Sequence, residues 1–427
     1  MEKKELLQEF SKQLLDNLSE NILPYWMERM KDPRGGYFGR RDGHDTLEAD
    51  APKGAILHAR ILWTFSAAYN ATRNPDYLTE ARYAYEYIMS HFIDKEFGGV
   101  FWSLNSDGKP LDTKKQYYAI AFTIYGLSEY YLATGEDEAL DTAYLLFLDI
   151  ENHARDLEKG GYIEASTRDW QPIADMRLSD HDANASKTMN THLHILEGYT
   201  ALLRALRKRD QLTGINQGEI NQGEINQEMV DRVTEATTSL LNIFFDRIEN
   251  PKTHHLTLFF DDDWQKYNDA ESYGHDIEAS WLLLETAEVI GDEELYQKAL
   301  SHTERIALAA LEGRKEDGSM VYELHEDGTL DADRHWWVQA ENVIGQLYLA
   351  RFHSEPSSKE MEKWLDKSWQ SWRYIADNLV DPAGEWYWSR KADGTINRDD
   401  DKAGFWKCPY HNSRMCLEAT RILSQLN

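Results

Sequence analysis

Two kinds of apolar pattern alternate along the chain, and the alternation repeats. A short stretch with aromatic residues at every other position, most often closing on Asp-Gly or acidic residues, starts at Gly35 (GGYFGRRDG). Others start at Gly98 (GGVFWSLNSDG), Gly160 (GGYIEASTRDW), Leu256 (LTLFFDDDW), Gly318 (GSMVYELHEDG) and Gly384 (GEWYWSRKADG). Period-two alternation with such a close predicts a strand and a tight turn. Helical spacing flanks each one. LTEARYAYEYIMSHFI precedes the second stretch, and QYYAIAFTIYGLSEYYLATG follows it, closed by Gly135. The preceding helix is amphipathic and the following one is apolar.

Successive stretches start 63, 62, 96, 62 and 66 residues apart. Six helix–hairpin–helix units predict an all-α, single-domain (α/α)6 barrel over residues 1–427, with short β-hairpins at its mouth. The apolar helices form the inner ring and the amphipathic ones the outer ring. No unit can bury its apolar face alone, so neighbours must close on each other. The long interval contains INQGEINQGEINQE, residues 215–228. This run is polar and low in complexity, so 211–228 is expected to be a loop insertion that adds no core. The competing reading is that it lengthens a helix. The last inner helix is expected over 415–426.

Composition narrows the chemistry. Lys plus Arg is 46 and Asp plus Glu is 75, a net charge of −29, which argues against nucleic acid or an anionic membrane surface as partner. No apolar run approaches the roughly 18–20 residues of a membrane span. The N-terminus, MEKKELLQEF, reads as a helix start and not as a signal peptide, so a cytoplasmic protein is expected. Cys408 and Cys416 cannot make a metal site alone, and such a compartment keeps them reduced. The 14 Trp and 23 Tyr suit a core, and they also suit a sugar site, where a flat ring covers a pyranose face.

In such a barrel the inner helices run in one direction, so their starts share one mouth. Arg60 lies in an apolar run, KGAILHARILWTF, and needs a carboxylate or a ligand. Tyr118 opens the second inner helix. In KTMNTHLHILE, Asn190 and His194 are four apart and share a face, while His192 points elsewhere. In SYGHDIEASW, His275 and Glu278 are three apart, so the carboxylate is expected to orient the imidazole and favour its protonation. The fifth start, RHWWVQAE, offers Trp336, Trp337 and Glu341. The sixth, WKCPYHNSR, offers Trp406 and His411.

A single histidine at a helix start is more often structural than catalytic. Here three histidines, an arginine and several aromatics hold corresponding places in successive units. His181 and Asp182 lie in a loop near the mouth as further contacts. The remaining histidines read as surface or packing residues. His194, His275, His411 and a glutamate could in principle hold zinc, but neither HxxxH nor HExxH is present, and no metal or other cofactor is expected. Neither a G-x-S-x-G elbow nor a phosphate-cradling glycine loop is present. Opposed histidines suit proton abstraction beside a carbonyl, since imidazole titrates near neutral pH.

KGAILHARILWTFSAAY, KTMNTHLHILE, GHDIEASWL, RHWWVQAE and WKCPYHNSRMCLE together resemble the cellobiose 2-epimerases, a branch of the N-acylglucosamine 2-epimerase superfamily. The resemblance covers nearly the whole chain. It implies a metal-free (α/α)6 barrel that reversibly epimerises C2 of the reducing-end glucose in β-1,4-linked disaccharides, turning cellobiose into glucosyl-mannose and lactose into epilactose. It implies His411 and His275 as the acid/base pair on opposite faces of C2. His194 would assist ring opening and Glu278 would orient His275. Arg60, Tyr118 and Asn190 would hold the O1 and O2 region. Trp337 would pack on the reacting sugar, and Trp406 and Tyr322 on the non-reducing one. The expected partner is the disaccharide alone, and the expected state is a monomer. Three other functions fit the same pattern: a monosaccharide 2-epimerase or aldose–ketose isomerase, an inverting glycoside hydrolase, and a sugar-binding protein without activity. The hydrolase would need two carboxylates roughly 6.5–9.5 Å apart.

Overall fold

The structure is a computed structural model that describes residues 3–179, 182–213, 220–268, 270–353 and 358–426. These form thirteen α-helices: α1 (Lys3–Asn17), α2 (Leu23–Arg29), α3 (Ala55–Thr72), α4 (Pro75–Tyr87), α5 (Tyr117–Thr134), α6 (Asp137–His153), α7 (Met189–Thr213), α8 (Ile220–Ile243), α9 (Tyr273–Ile290), α10 (Glu293–Ala310), α11 (Trp336–Phe352), α12 (Lys359–Asn378) and α13 (Tyr410–Gln425). Helices α3, α5, α7, α9, α11 and α13 each pack on the next, and α13 returns to α3, so the inner ring closes. Helices α1, α4, α6, α8, α10 and α12 lie outside it. The chain is therefore the expected all-α (α/α)6 barrel.

Packing follows the patterning. Helix α5 buries fourteen of its eighteen residues and leaves no polar face, as a helix surrounded by others must. Helix α12 buries Met361, Trp364, Leu365, Ser368, Ser371, Trp372 and Ile375, one stripe at helical spacing. Gly135 ends α5 at φ +74°, a left-handed position suited to glycine.

The strands are two or three residues long, and they pair between units as well as within them. Lys53–Gly54 (β1) pairs with Ser103–Leu104 (β2), which also pairs with Pro110–Asp112 (β3). Lys115–Gln116 (β4) pairs with Ala165–Ser166 (β5), and Lys187–Thr188 (β6) with Phe259–Phe260 (β7). Glu271–Ser272 (β8) pairs with Glu323–Leu324 (β9), which joins Leu330–Asp331 (β10). Arg334–His335 (β11) pairs with Ser389–Arg390 (β12). Each strand leading into an inner helix is thus pinned to the hairpin of the next unit. A bridge from Arg41 to Ala403 closes the circle.

A second repeat lies beneath this one. Buried lysines two to eight residues ahead of an inner helix pair with an aspartate that follows an outer helix: Lys53 with Asp32 (2.8 Å), Lys115 with Asp94 (2.8 Å), Lys187 with Asp156 (2.7 Å) and Lys402 with Asp381 (2.6 Å). His58 and His192 serve the same joint. Each engages the carbonyl four residues back (Gly54 at 2.9 Å, Thr188 at 2.6 Å) and accepts a hairpin amide, from Tyr37 at 3.1 Å and Tyr162 at 2.9 Å. The hairpin needs glycine there. A Cβ on Gly36, at φ +65°, would meet Tyr87 at 2.7 Å and His58 at 2.9 Å.

Two expectations are corrected. Residues 211–213 and 220–228 lie in α7 and α8, so this part of the polar run lengthens helices and is not a loop; 214–219 fall outside the described residues. Asn226 is buried and accepts from Arg209 Nε at 2.9 Å, so a polar residue of the repeat joins the two helices. The last inner helix starts at Tyr410, ahead of the expected 415, which places His411 in its first turn.

Candidate active site

Each histidine of the mouth is held at Nδ1, by a different partner. His194, on α7, bonds Glu197 Oε2 at 2.8 Å, one turn along the same helix. His411, on α13, bonds Glu341 Oε1 of α11 at 2.7 Å. His275, on α9, bonds Ser272 Oγ at 2.8 Å. Glu278 does not orient His275, although the two are three residues apart. It turns inward, where its Oε1 accepts from Arg414 Nη2 at 2.7 Å and lies 3.8 Å from His411 Nδ1. The helix face was right, but the cation at the barrel centre outcompetes the imidazole for the carboxylate.

Arg414 is the centre of this network. Its Nη2 donates to Glu278 Oε1 and Glu341 Oε1, both at 2.7 Å, and its Nη1 donates to Glu197 Oε1 and to the Tyr410 hydroxyl oxygen. Tyr410 in turn donates to Glu197. Glu341 Oε2 accepts from Trp281 Nε1 at 2.9 Å. All of these groups are buried. Glu278, Glu341 and His411 lie close enough to ligate a metal, but the Arg414 guanidinium already bonds both carboxylates.

Burial sets the charge states. It pushes all three imidazoles below their usual value, His275 to about 3 and His411 well down, where Arg414 and Arg60 add to the effect. They rest neutral, contrary to the expected protonation of His275. Glu278 is pushed up to about 8, first by burial and then by the neighbouring Glu341 carboxylate, and burial raises Glu341 as well. Glu197 goes the other way, down to about 2, because Arg414 and His194 outweigh its burial. The carboxylates around one guanidinium therefore hold unlike charge states.

The expected binding residues gather in two places. On one side Arg60 donates from Nη2 to the Tyr118 hydroxyl at 2.8 Å, approaches Cys408 Sγ at 3.7 Å, and lies over the rings of Phe122 and Tyr410. Among the described residues no carboxylate pairs with it, and its buried Nε has no hydrogen-bond partner. The Tyr118 ring stands edge-on to His194 at 5.0 Å, and Trp406 lies 6.1 Å from Tyr118, against Trp102. On the other side Trp337 packs between the histidines, 4.8 Å from His275 and 5.6 Å from His411. Tyr322 stands edge-on to Trp337 at 6.1 Å and stacks on His335 at 4.3 Å. Tyr322 and Trp406 thus contact different partners. A cavity of about 360 Å³ is lined by Asn190, His275 and Tyr322 together with Glu164, Asp182 and Glu323, a volume typical of small-molecule sites. Asn190 Oδ1 is buried without a partner. His181 lies outside the described residues.

Sequence reasoning passed over Ser272, Glu197 and Arg414. The signal for Glu197 was present, since His194 and Glu197 repeat the His-x-x-Glu spacing of His275 and Glu278. Arg414 was quoted within its motif but given no role; a charged residue in a wholly buried first turn was the available clue.

Known proteins match this architecture along its length. The model of the N-acylglucosamine 2-epimerase (GlcNAc 2-epimerase) family matches residues 36–414. The cellobiose 2-epimerase of Bacteroides fragilis is 50% identical over 416 residues, 97% of this chain and 98% of that one. Among solved structures, the cellobiose 2-epimerase of Spirochaeta thermophila superposes with a TM-score of 0.85 at 37% identity, covering 98% of each chain. That of Bacillus thermoamylovorans gives 0.85 at 34% identity, covering 97% of this chain and 99% of that one. These likenesses span every inner-helix motif described above, and the chain is an isomerase that belongs to the N-acylglucosamine 2-epimerase family.

Proposed function

We propose that the chain catalyses reversible epimerisation at C2 of the reducing-end glucose of β-1,4-linked disaccharides, with cellobiose and lactose as substrates. The observation that carries this reading is the trio of neutral, individually anchored imidazoles beside the buried Arg60 guanidinium, which has no carboxylate partner among the described residues.

The sugar must open before C2 can exchange. His194, with its Nδ1–H given to Glu197, keeps a lone pair on Nε2 that takes the O1 proton and passes it to O5 as C1=O1 forms and the C1–O5 bond breaks. His411 is anchored alike by Glu341 at Nδ1, so its lone pair is on Nε2, which removes the C2 proton. The carboxylate stabilises the imidazolium that forms. Ser272 donates to His275 Nδ1, so the Nε2–H faces the opposite side of C2; as His275 delivers that proton, Nδ1 takes the Ser272 hydroxyl proton, which water replaces, and the His411 imidazolium returns its proton to water. Arg60, Tyr118 and Asn190 meet the negative charge that develops on the O1 and O2 oxygens. Trp337, set against both histidines, covers the reacting sugar. Tyr322 and Trp406 receive the second sugar. Every proton in the scheme moves between carbon, oxygen and imidazole nitrogen, and the scheme uses no metal.

Turnover of cellobiose in heavy water tests this directly. Glucosyl-mannose carrying deuterium at C2, and loss of net epimerisation in both His411→Ala and His275→Ala, are expected. Product without solvent deuterium at early times would replace proton transfer by a hydride shift. A fructose-ended product would mark an aldose–ketose isomerase, and free glucose a hydrolase.

A further inference from the structure

One carboxylate in the core has two sets of partners, and the reaction scheme uses only one of them. Glu197 holds His194 with Oε2 and is itself held through Oε1 by Arg414 and Tyr410. The same guanidinium holds Glu341, and Glu341 holds His411. A continuous chain of buried hydrogen bonds therefore runs His194–Glu197–Arg414–Glu341–His411, from the ring-opening histidine to the C2 histidine. No water-exposed link interrupts it, since every member is at most 6% exposed.

We propose that Glu197 and Arg414 are positioning residues for ring opening: Glu197 fixes His194 with its proton on Nδ1 and its lone pair on Nε2, and Arg414 locks that choice to the carboxylate that orients His411. The inference rests on the roles proposed above for His194 and His411. Its physical basis is the acceptor at Nδ1. A carboxylate can only accept, so a neutral His194 bonded to Glu197 must keep its proton at Nδ1. Without that partner the two tautomers are near in energy, and the Nε2–H form cannot take the O1 proton.

The groups facing this chain come from every inner helix. They are Arg60 from α3, Tyr118 and Tyr125 from α5, His194 and Glu197 from α7, Glu278 from α9, Glu341 from α11, and Tyr410, His411 and Arg414 from α13. Arg60 and Arg414 both disfavour a charged His194, while Glu197 favours it. Glu197 is the group that opposes the two guanidinium ions there, so its loss leaves the imidazole a poorer proton acceptor.

An isotope effect separates this role from general support of the fold. The substrate is cellobiose carrying deuterium at C2 of the reducing-end glucose, and the readout is the ratio of kcat/KM for protium and deuterium. In Glu197→Gln, kcat/KM is expected to fall about 10- to 100-fold, as for loss of a charge-assisted hydrogen bond. The isotope effect should shrink toward one, because ring opening now limits the rate. In Glu341→Gln the rate also falls, but the isotope effect stays or grows, because the C2 step is the one damaged. A Glu197→Gln enzyme within threefold of wild type, or one whose isotope effect exceeds that of wild type, overturns the proposal. If Glu197→Gln does not fold, Tyr410→Phe removes one of the hydrogen bonds to Glu197 and leaves every charge in place. It should move the isotope effect the same way at smaller amplitude, and movement in the opposite sense overturns the proposal equally. A His411→Asn enzyme that still epimerises would instead sink the parent scheme, whatever Glu197 does.

Discussion

Replacing Glu341 by glutamine should slow the reaction without weakening substrate binding. Glu341 Oε1 accepts from His411 Nδ1 and Arg414 Nη2, both at 2.7 Å, and Oε2 accepts from Trp281 Nε1 at 2.9 Å. Its side chain is fully buried. Glutamine preserves the volume but offers one acceptor and an NH2 group. If its oxygen keeps His411 and Arg414, the NH2 faces the indole N–H of Trp281, donor against donor. Hydrogen bonds to charged groups are each worth roughly 1.5–3 kcal/mol net. At about 1.4 kcal/mol per tenfold in rate, losing the charge behind His411 predicts a fall of about 10- to 150-fold. The loss belongs in kcat, because the carboxylate is most valuable once His411 has become an imidazolium, and Glu341 lies behind the histidine. Initial rates of cellobiose epimerisation over a range of concentrations, read by chromatography or proton NMR, give the split. A kcat within twofold of wild type, or a loss carried mainly by KM, would refute this account of Glu341. A melting curve run beside the kinetics guards against misreading an unfolded sample.

Two further outcomes follow from the same geometry. Glu278 has its folded pKa raised to about 8, above the roughly 4.3 of an unfolded glutamate. Its protonation therefore stabilises the fold fully below the unfolded value, and that contribution is lost as pH rises through about 8. Wild type should lose melting temperature and activity as pH passes 8, whereas Glu278→Gln, neutral at every pH, should melt above wild type at pH 9; equal melting temperatures there would show that Glu278 is ionised in the fold. Trp406→Ala should reduce kcat/KM for cellobiose much more than for glucose, since Trp406 packs against Tyr118 and Trp102 and is proposed to receive the second sugar; equal losses on the two sugars would place it on the reacting ring.

The amino-acid pattern by itself determined the barrel. A period-two aromatic stretch between helices of opposite amphipathicity, repeated six times, leaves apolar helices that only a closed inner ring can bury, and α13 does return to α3. It also determined which residues meet at the mouth, because every inner helix presents its first turns there. Less visible was the Asp–Lys joint of Lys53 with Asp32 and its relatives, since a charged residue near a turn looks solvated until its partner arrives from across the unit. The polar repeat was misjudged for a related reason. Composition argued for a loop, but helix geometry at 220–228 is set by α8 continuing through it, and Asn226 finds Arg209 only once the helices pair. The tertiary structure alone decided the pairing inside the site. His194 with Glu197 and His275 with Glu278 have the same spacing on the same kind of helix, and local geometry treats them alike. Only the first pair bonds. At the barrel axis Arg414 arrives from the last inner helix and draws Glu278 to itself, leaving His275 to Ser272 and giving Glu341 to His411. Such a competition among buried charges on different helices has no trace in the spacing along any one of them, because its energy depends on which groups the closed ring removes from water together.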